Sequence, residues 1–64
     1  MQDTGRRLRQ VRQAKGLSQR ALARAAAVSN ATVSLIENCR TDPSLGMLKR
    51  ILDALDTSVA DFFA

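Results

Sequence analysis

The stretch from residue 18 to residue 38 constrains the fold of this chain more than any other part of its sequence. It contains two short runs with apolar residues at helical spacing, and only residues 26–28 lie between them. Ser18 and Ser29 stand where a serine caps the N-terminus of a helix. So short a link between two capped helices predicts a pair that crosses steeply. The shared buried surface of this pair is predicted to contain Leu22, Ala26, Val28, Val33 and Ile36.

Periodicity and capping residues predict three further helices, so the expected fold is all-α with five helices in one domain, residues 1–64. The first helix should follow Thr4 or Gly5 and end near Lys15, with Gly16 in the left-handed conformation after it. Its buried side is predicted to carry Leu8, Val11 and Ala14. The second and third helices are expected over residues 19 to 25 or 26 and over residues 30–38.

The last two helices are predicted from the chain after the turn-rich segment 39–43. Ser44 can cap a fourth helix, whose apolar positions 48, 51, 52 and 55 follow the i, i+3, i+4, i+7 pattern. Thr57 or Ser58 can cap a short fifth helix, in which Phe62 and Phe63 are expected to form an aromatic plug of the core.

The charge of the chain is unevenly distributed. Residues 1–40 contain eight Arg or Lys and two acids, a net charge of +6, whereas residues 41–64 contain two bases and four acids, a net charge of −2. A basic front and an acidic back favour an oriented encounter with a polyanion, although an ordinary solvated surface is the alternative. The sequence has no histidine and one cysteine, Cys39, so neither a disulfide within the chain nor a metal site nor a cofactor is expected.

The segments SQRALARAA, VSNATVSLIE and NCRTDPS resemble the helix-turn-helix of lambda-repressor-like DNA-binding domains, also called the Cro/C1 or XRE type. The resemblance extends from Leu8 to Phe63. The segment SNATVSLIENCRTDPSLGMLKRIL, followed later by FF, resembles the subfamily in which this domain precedes a cupin sensor domain. Two positions depart from the family pattern, since Ala27 and Cys39 stand where similar domains have a left-handed glycine.

The resemblance implies that the third helix enters the major groove of double-stranded DNA with its N-terminus first. On a helical wheel, the candidates for reading bases are Ser29, Asn30, Ala31, Thr32, Ser34 and Leu35. Asn30 suits an adenine edge, or else serves as a secondary cap. Ala31 and Leu35 suit thymine methyl groups, or else pack against a neighbouring helix.

Phosphate contacts are expected on both sides of the reading helix. The candidates are Ser18, Gln19, Arg12, Arg24, Asn38 and Arg40. In similar domains the residue matching Gln19 contacts the DNA backbone and braces the start of the reading helix. The residue matching Glu37 pairs there with the base matching Arg12, so this ion pair is expected to be structural, with Arg12 shared between Glu37 and DNA.

These observations predict a cytoplasmic transcriptional repressor that binds a pseudo-palindromic operator as a homodimer. The chain is expected to be either the DNA-binding head of a longer protein with a sensor domain downstream or a very small complete protein. An enzyme is not expected, because the sequence offers no nucleophile with a neighbouring base and no paired carboxylates. No apolar run approaches the ~20 residues of a membrane span. The alternative is an antitoxin, a protein-interaction module that also binds its own operator.

Overall fold

The computed structural model describes residues 3–64, which form five helices and no strand. The helices are α1 (Asp3–Ala14), α2 (Gln19–Ala26), α3 (Asn30–Glu37), α4 (Leu45–Ala54) and α5 (Val59–Phe63). α2 packs on both α3 and α4, while α1 packs on α3 and α4 packs on α5. The described helices include none that combines the length and the apolar character needed to cross a membrane. The all-α, five-helix prediction is confirmed.

The helices α2 to α5 each begin with the same device, a capping serine. Ser18, Ser29, Ser44 and Ser58 have extended backbone, and each hydroxyl accepts a hydrogen bond from the backbone N–H three residues later, at 3.0–3.1 Å. Such a cap stabilises a helix by roughly 1 kcal/mol, because it satisfies an N–H group that has no partner within the helix. The three serine caps predicted without an alternative are confirmed, and Ser58 rather than Thr57 caps α5.

The helices α1 to α4 are each followed, within two residues of their last residue, by a residue in the left-handed conformation. The φ angles are 74° at Gly16, 58° at Ala27, 58° at Cys39 and 54° at Asp56. Each is flanked by the paired backbone hydrogen bonds of a Schellman motif, such as Val28 N–H to Ala23 O at 3.0 Å with Ala27 N–H to Arg24 O at 3.2 Å. Three of these four turns use a residue that carries a Cβ, so the fold accepts backbone strain at three places.

The core is formed by one side of every helix. Its fully buried side chains come from α1 to α5 and from Leu55, which caps α4: Leu8, Leu22, Val33, Ile36, Ile51, Leu52, Leu55 and Phe62. The predicted surface between α2 and α3 is confirmed at Leu22, Ala26, Val33 and Ile36, while Val28 lies at its edge and is half-buried. α3 is thereby fixed against the rest of the domain along its inner side.

Two predicted core positions are wrong. Ala14 is exposed, because a spacing of three residues turns 60° back at each step and carries Ala14 about 120° away from Leu8. Arg12, four residues after Leu8, takes the buried position in its place, with 8% exposure. Phe63 is 47% exposed, since adjacent residues of a helix point about 100° apart and only Phe62 can face the core.

The start of α1 also differs from the prediction, because Thr4 and Gly5 lie within the helix rather than before it. Both residues are buried. A Cβ on Gly5 would collide with the backbone carbonyl of Ile36, the penultimate residue of α3. Glycine is therefore required here for close approach of the two helices, and α1 holds the end of α3 through its backbone as well as its side chains.

Candidate nucleic-acid interface

The outer side of α3 is the exposed surface to which the sequence assigns base reading. Asn30 and Ala31 are exposed, as is Ser29 at the cap, and Thr32 and Ser34 are half-buried on the flanks. Val33, Ile36 and Glu37 occupy the inner side and are buried. The six predicted base-reading residues therefore share one continuous part of the helix, its outer side from the cap to the last turn.

The polar groups at the start of α3 have different tasks. The Ser29 hydroxyl accepts a hydrogen bond from Thr32 N–H at 3.0 Å and lies 2.7 Å from the Thr32 hydroxyl, so this pair closes the N-terminus of the helix. Within the described residues, the Asn30 amide makes no hydrogen bond. Its alternative role as a secondary cap is thus taken by Ser29 and Thr32, and the Asn30 amide stays available to a base edge.

Ala31 and Leu35 present apolar surface to solvent one helical turn apart. Leu35 is 48% exposed and Ala31 is exposed as well. Neither residue is buried, but Leu35 is covered over about half of its surface, so the suggested partial burial against a neighbouring helix stays a prediction for Leu35. Contact with thymine methyl groups, the other explanation, stays a prediction.

The predicted ion pair between α1 and α3 is present in the structure. Arg12 Nε donates to Glu37 Oε2 at 2.6 Å, and Arg12 Nη2 donates to Glu37 Oε1 at 2.9 Å. Arg12 Nη1 donates to the Leu17 carbonyl oxygen at 2.7 Å. All three nitrogens of this guanidinium have partners inside the domain, so the geometry supports the structural role of Arg12 and leaves little of it for phosphate.

Gln19 has a different partner from the one that the resemblance implies. Its Nε2 donates to Glu37 Oε1 at 3.1 Å, so it braces the end of the reading helix and not its start. The physical reason is that α3 begins with its own serine cap, whereas the buried carboxylate of its last residue, Glu37, needs hydrogen-bond donors. Gln19 is half-buried, and its backbone at the N-terminus of α2 stays in place for the predicted phosphate contact.

The protonation of this cluster is set by opposing effects. Burial of Glu37 would raise its pKa, but hydrogen bonds from Arg12 and Gln19, together with the charge of Arg12, outweigh burial and leave the pKa below its usual range. The hydrogen bond to Glu37 likewise raises the pKa of Arg12. Both groups are charged at neutral pH, and their interaction joins α1 to α3 and, through Gln19, to α2.

Arg9 of α1 contacts Glu37 and Asn38 at the end of α3, and sequence reasoning missed this contact. Arg9 Nη2 donates to Asn38 Oδ1 at 3.0 Å, and Arg9 Nε lies 3.4 Å from Glu37 Oε1. Asn38 Nδ2 in turn donates to the Ser34 carbonyl oxygen at 2.9 Å. The available signal was the position of Arg9 one helical step from the Leu8 stripe, but its partner depends on how α1 crosses α3.

The remaining phosphate candidates lie on the surface. Ser18, Arg24, Asn38 and Arg40 are exposed, and no side-chain hydrogen bond of Arg24 or Arg40 is found in the part of the chain that the structure describes. Ser18 caps α2, and Asn38 and Arg40 follow α3. Cationic and N–H donors therefore stand at both ends of the helix pair, as backbone binding on either side of a groove requires.

The architecture defines a helix-turn-helix domain, formed by α2, the left-handed turn at Ala27 and α3. A family model described as a helix-turn-helix domain matches residues 3–62. The chain belongs to this family of DNA-binding domains, and it is of the XRE type that its sequence resembles.

The chain is similar to two named regulators, PuuR and ClgR. The chain is 33% identical over 60 residues to the HTH-type transcriptional regulator PuuR of Escherichia coli K12 and, equally, to that of Shigella flexneri. The match covers 94% of this chain but spans only 32% of the length of these relatives. Two structures of the clp gene regulator ClgR from Corynebacterium glutamicum superpose with TM-scores of 0.91 and 0.92 at 38% and 37% identity. The two superpositions cover 95% and 97% of this chain, and 78% and 66% of the respective ClgR chains.

Proposed function

We propose that this chain is the sequence-specific DNA-binding domain of a cytoplasmic transcriptional repressor. The observation that carries the proposal is the outer side of α3, where exposed Asn30, Ala31 and Leu35 stand on a helix whose inner side is fixed in the core. An α-helix fits the major groove, in which each base pair presents its own pattern of donors, acceptors and methyl groups.

The proposed complex places α3 in the groove with its N-terminus first. Asn30 pairs with a base edge, Ala31 and Leu35 contact thymine methyl groups, and Thr32 and Ser34 contact bases or phosphates. The N-terminus of α2 binds a phosphate on one side of the groove, and Arg40 binds the flanking strand on the other. We propose binding alone for this surface, because the sequence has no histidine and no nucleophile with a neighbouring base.

Dimeric binding to a pseudo-palindromic operator is part of the proposal. A single α3 reads only a few base pairs, and two copies related by a two-fold axis double the site at little cost in sequence length. Repression is the simplest consequence of such binding, because a protein bound to promoter DNA excludes other proteins from it without having to contact them. The names of PuuR and ClgR describe regulators, which favours a transcriptional regulator over an antitoxin.

Salt-dependent binding to duplex DNA tests the proposal. If about 3–5 phosphates are neutralised per domain, log K should fall with log salt concentration at a slope near −0.9 per phosphate. Fluorescence titrations at several salt concentrations, with duplexes selected from a random pool, give both this slope and the operator. A slope near zero, or selection of no common sequence, would contradict sequence-specific binding by this surface.

A further inference from the structure

We propose that Arg9 binds a DNA phosphate next to the end of α3 and is held in position for it by Asn38. This inference rests on the proposed function and adds a cationic contact from α1, a helix outside the helix-turn-helix. Three observations carry it: the charge balance around Glu37, the hydrogen bonds of Asn38 and the exposure of the Arg9 guanidinium.

Arg12 is the nearer of the two cations that contact Glu37, and Arg9 adds a longer hydrogen bond. The Glu37 carboxylate already has a full positive partner in Arg12, at 2.6 Å and 2.9 Å. Its Oε1 accepts from Arg12 at 2.9 Å and from Gln19 at 3.1 Å, which uses both lone pairs of that oxygen. Arg9 Nε is the third and most distant donor, at 3.4 Å. The cluster of two cations and one anion therefore keeps one positive charge in excess, and Arg9 carries it.

The hydrogen bonds of Asn38 fix where this charge lies. Asn38 Oδ1 accepts from Arg9 Nη2 at 3.0 Å, while its Nδ2 is turned toward the Ser34 carbonyl oxygen at 2.9 Å and hydroxyl at 3.3 Å. Both atoms of the Asn38 amide are thus engaged inside the domain. At this end of α3, the predicted contact with the DNA backbone is therefore made by the Arg9 guanidinium, which Asn38 orients, and not by the Asn38 amide.

The guanidinium is accessible as well as oriented. The Arg9 side chain is 42% exposed, and among the described residues no hydrogen bond is made by its Nη1. An arginine already held by two acceptors loses less conformational freedom on binding than a solvated one. Its free edge can donate to phosphate oxygens in the paired geometry that guanidinium favours.

Arg7 provides a matched control on the same helix. It lies two positions before Arg9, roughly 200° around α1, and its Nη1 donates to the Phe62 carbonyl oxygen at 2.9 Å. Arg7 and Arg9 carry the same charge on the same helix, but Arg7 contacts α5 and Arg9 contacts the end of α3.

The test measures the salt dependence of duplex binding for Arg9→Ala, Arg9→Gln, Arg9→Lys and Arg7→Ala. Loss of the Arg9 charge should make the slope of log K against log salt less negative by about 0.9. The affinity ratio of wild type to Arg9→Ala should then shrink roughly eight-fold for each ten-fold rise in salt, equally for selected and random duplexes. Arg9→Gln keeps an N–H donor for Asn38 and should lose the slope like Arg9→Ala. Arg9→Lys and Arg7→Ala should keep the wild-type slope.

A wild-type slope in both Arg9→Ala and Arg9→Gln would overturn the inference, and a lowered denaturation midpoint beside that slope would give Arg9 a structural role. An equal change of slope in Arg7→Ala would also overturn it, because the effect would then be one of net charge. Absence of salt-dependent binding by the wild-type chain would instead contradict the proposed function itself, so the two failures are distinguishable.

Discussion

The inner and outer sides of α3 differ in what their residues contact. On the inner side, the Glu37 carboxylate accepts hydrogen bonds from α1 and α2 and is fully buried. On the outer side, Asn30, Ala31 and Leu35 face solvent. One eight-residue helix thus contains both the residues that fix its position and the residues left free to bind. Substitutions on the inner side should change stability, and substitutions on the outer side should change affinity.

The largest effect is expected from Glu37→Ala. Removal of this carboxylate leaves the buried Arg12 guanidinium without its anion, which costs about 3–5 kcal/mol of folding free energy. That is a large share of the total stability of a small domain. Chemical denaturation measures it, and Asp53→Ala, which removes an exposed acid from α4, is the control and should change stability little. An unmoved midpoint in Glu37→Ala would mean that the inner side does not hold α3.

Acid should reverse part of the same stabilisation without a substitution. The folded-state pKa of Glu37 lies below its usual value of about 4.3, so its contribution is complete above that pH and is lost as pH falls through the folded-state pKa. The free energy of unfolding should therefore fall more steeply below about pH 4.3 in the wild type than in Glu37→Gln. Parallel pH profiles of the two proteins would show that Glu37 titrates alike in the folded and unfolded chains.

Asn30→Ala should separate the outer side from the inner side. The Asn30 amide makes no hydrogen bond with the described residues, so the free energy of unfolding should stay within about 0.5 kcal/mol of the wild type. Loss of a bidentate base contact should cost about 1–3 kcal/mol of binding at one base position and relax the preference there. Arg40→Ala is the comparison, since it should weaken all duplexes alike. An exchange of these two patterns would reverse the assignment of base and phosphate contacts.

The sequence was sufficient for those features that depend on local chemistry. Serine caps and the apolar spacing of α4 follow from residues close together in the chain. The exposure of Ala14 could have been expected from the helical angle. The left-handed conformation of Asp56 could not, because aspartate adopts it only occasionally and glycine adopts it routinely. The partners of Gln19 and Arg9 depend on the packing of α1 and α2 against the end of α3. That packing in turn depends on the close approach at Gly5, which no periodicity reveals.

The smallest effect is expected at Ala27, in the turn between α2 and α3. Ala27 has a φ of 58°, where a Cβ costs about 1–2 kcal/mol, and Ala27→Gly removes that strain. The greater freedom of glycine in the unfolded chain offsets about 0.4–1 kcal/mol of the gain. A net gain of up to about 1 kcal/mol should raise the melting temperature by up to roughly 4–8 °C in calorimetry, with little change in DNA affinity. A lowered melting temperature would contradict a strained turn.

Mapping of backbone amide shifts by NMR, during titration with a selected duplex, tests most directly whether the outer side of α3 reads DNA. The largest shifts are predicted at residues 18–19, 29–35 and 38–40, with those of 29–35 reduced when the selected sequence is scrambled. Residues 45–63 should change little. Large shifts confined to residues 45–63, with residues 29–35 unmoved, would contradict the division of α3 into an inner side that holds and an outer side that reads.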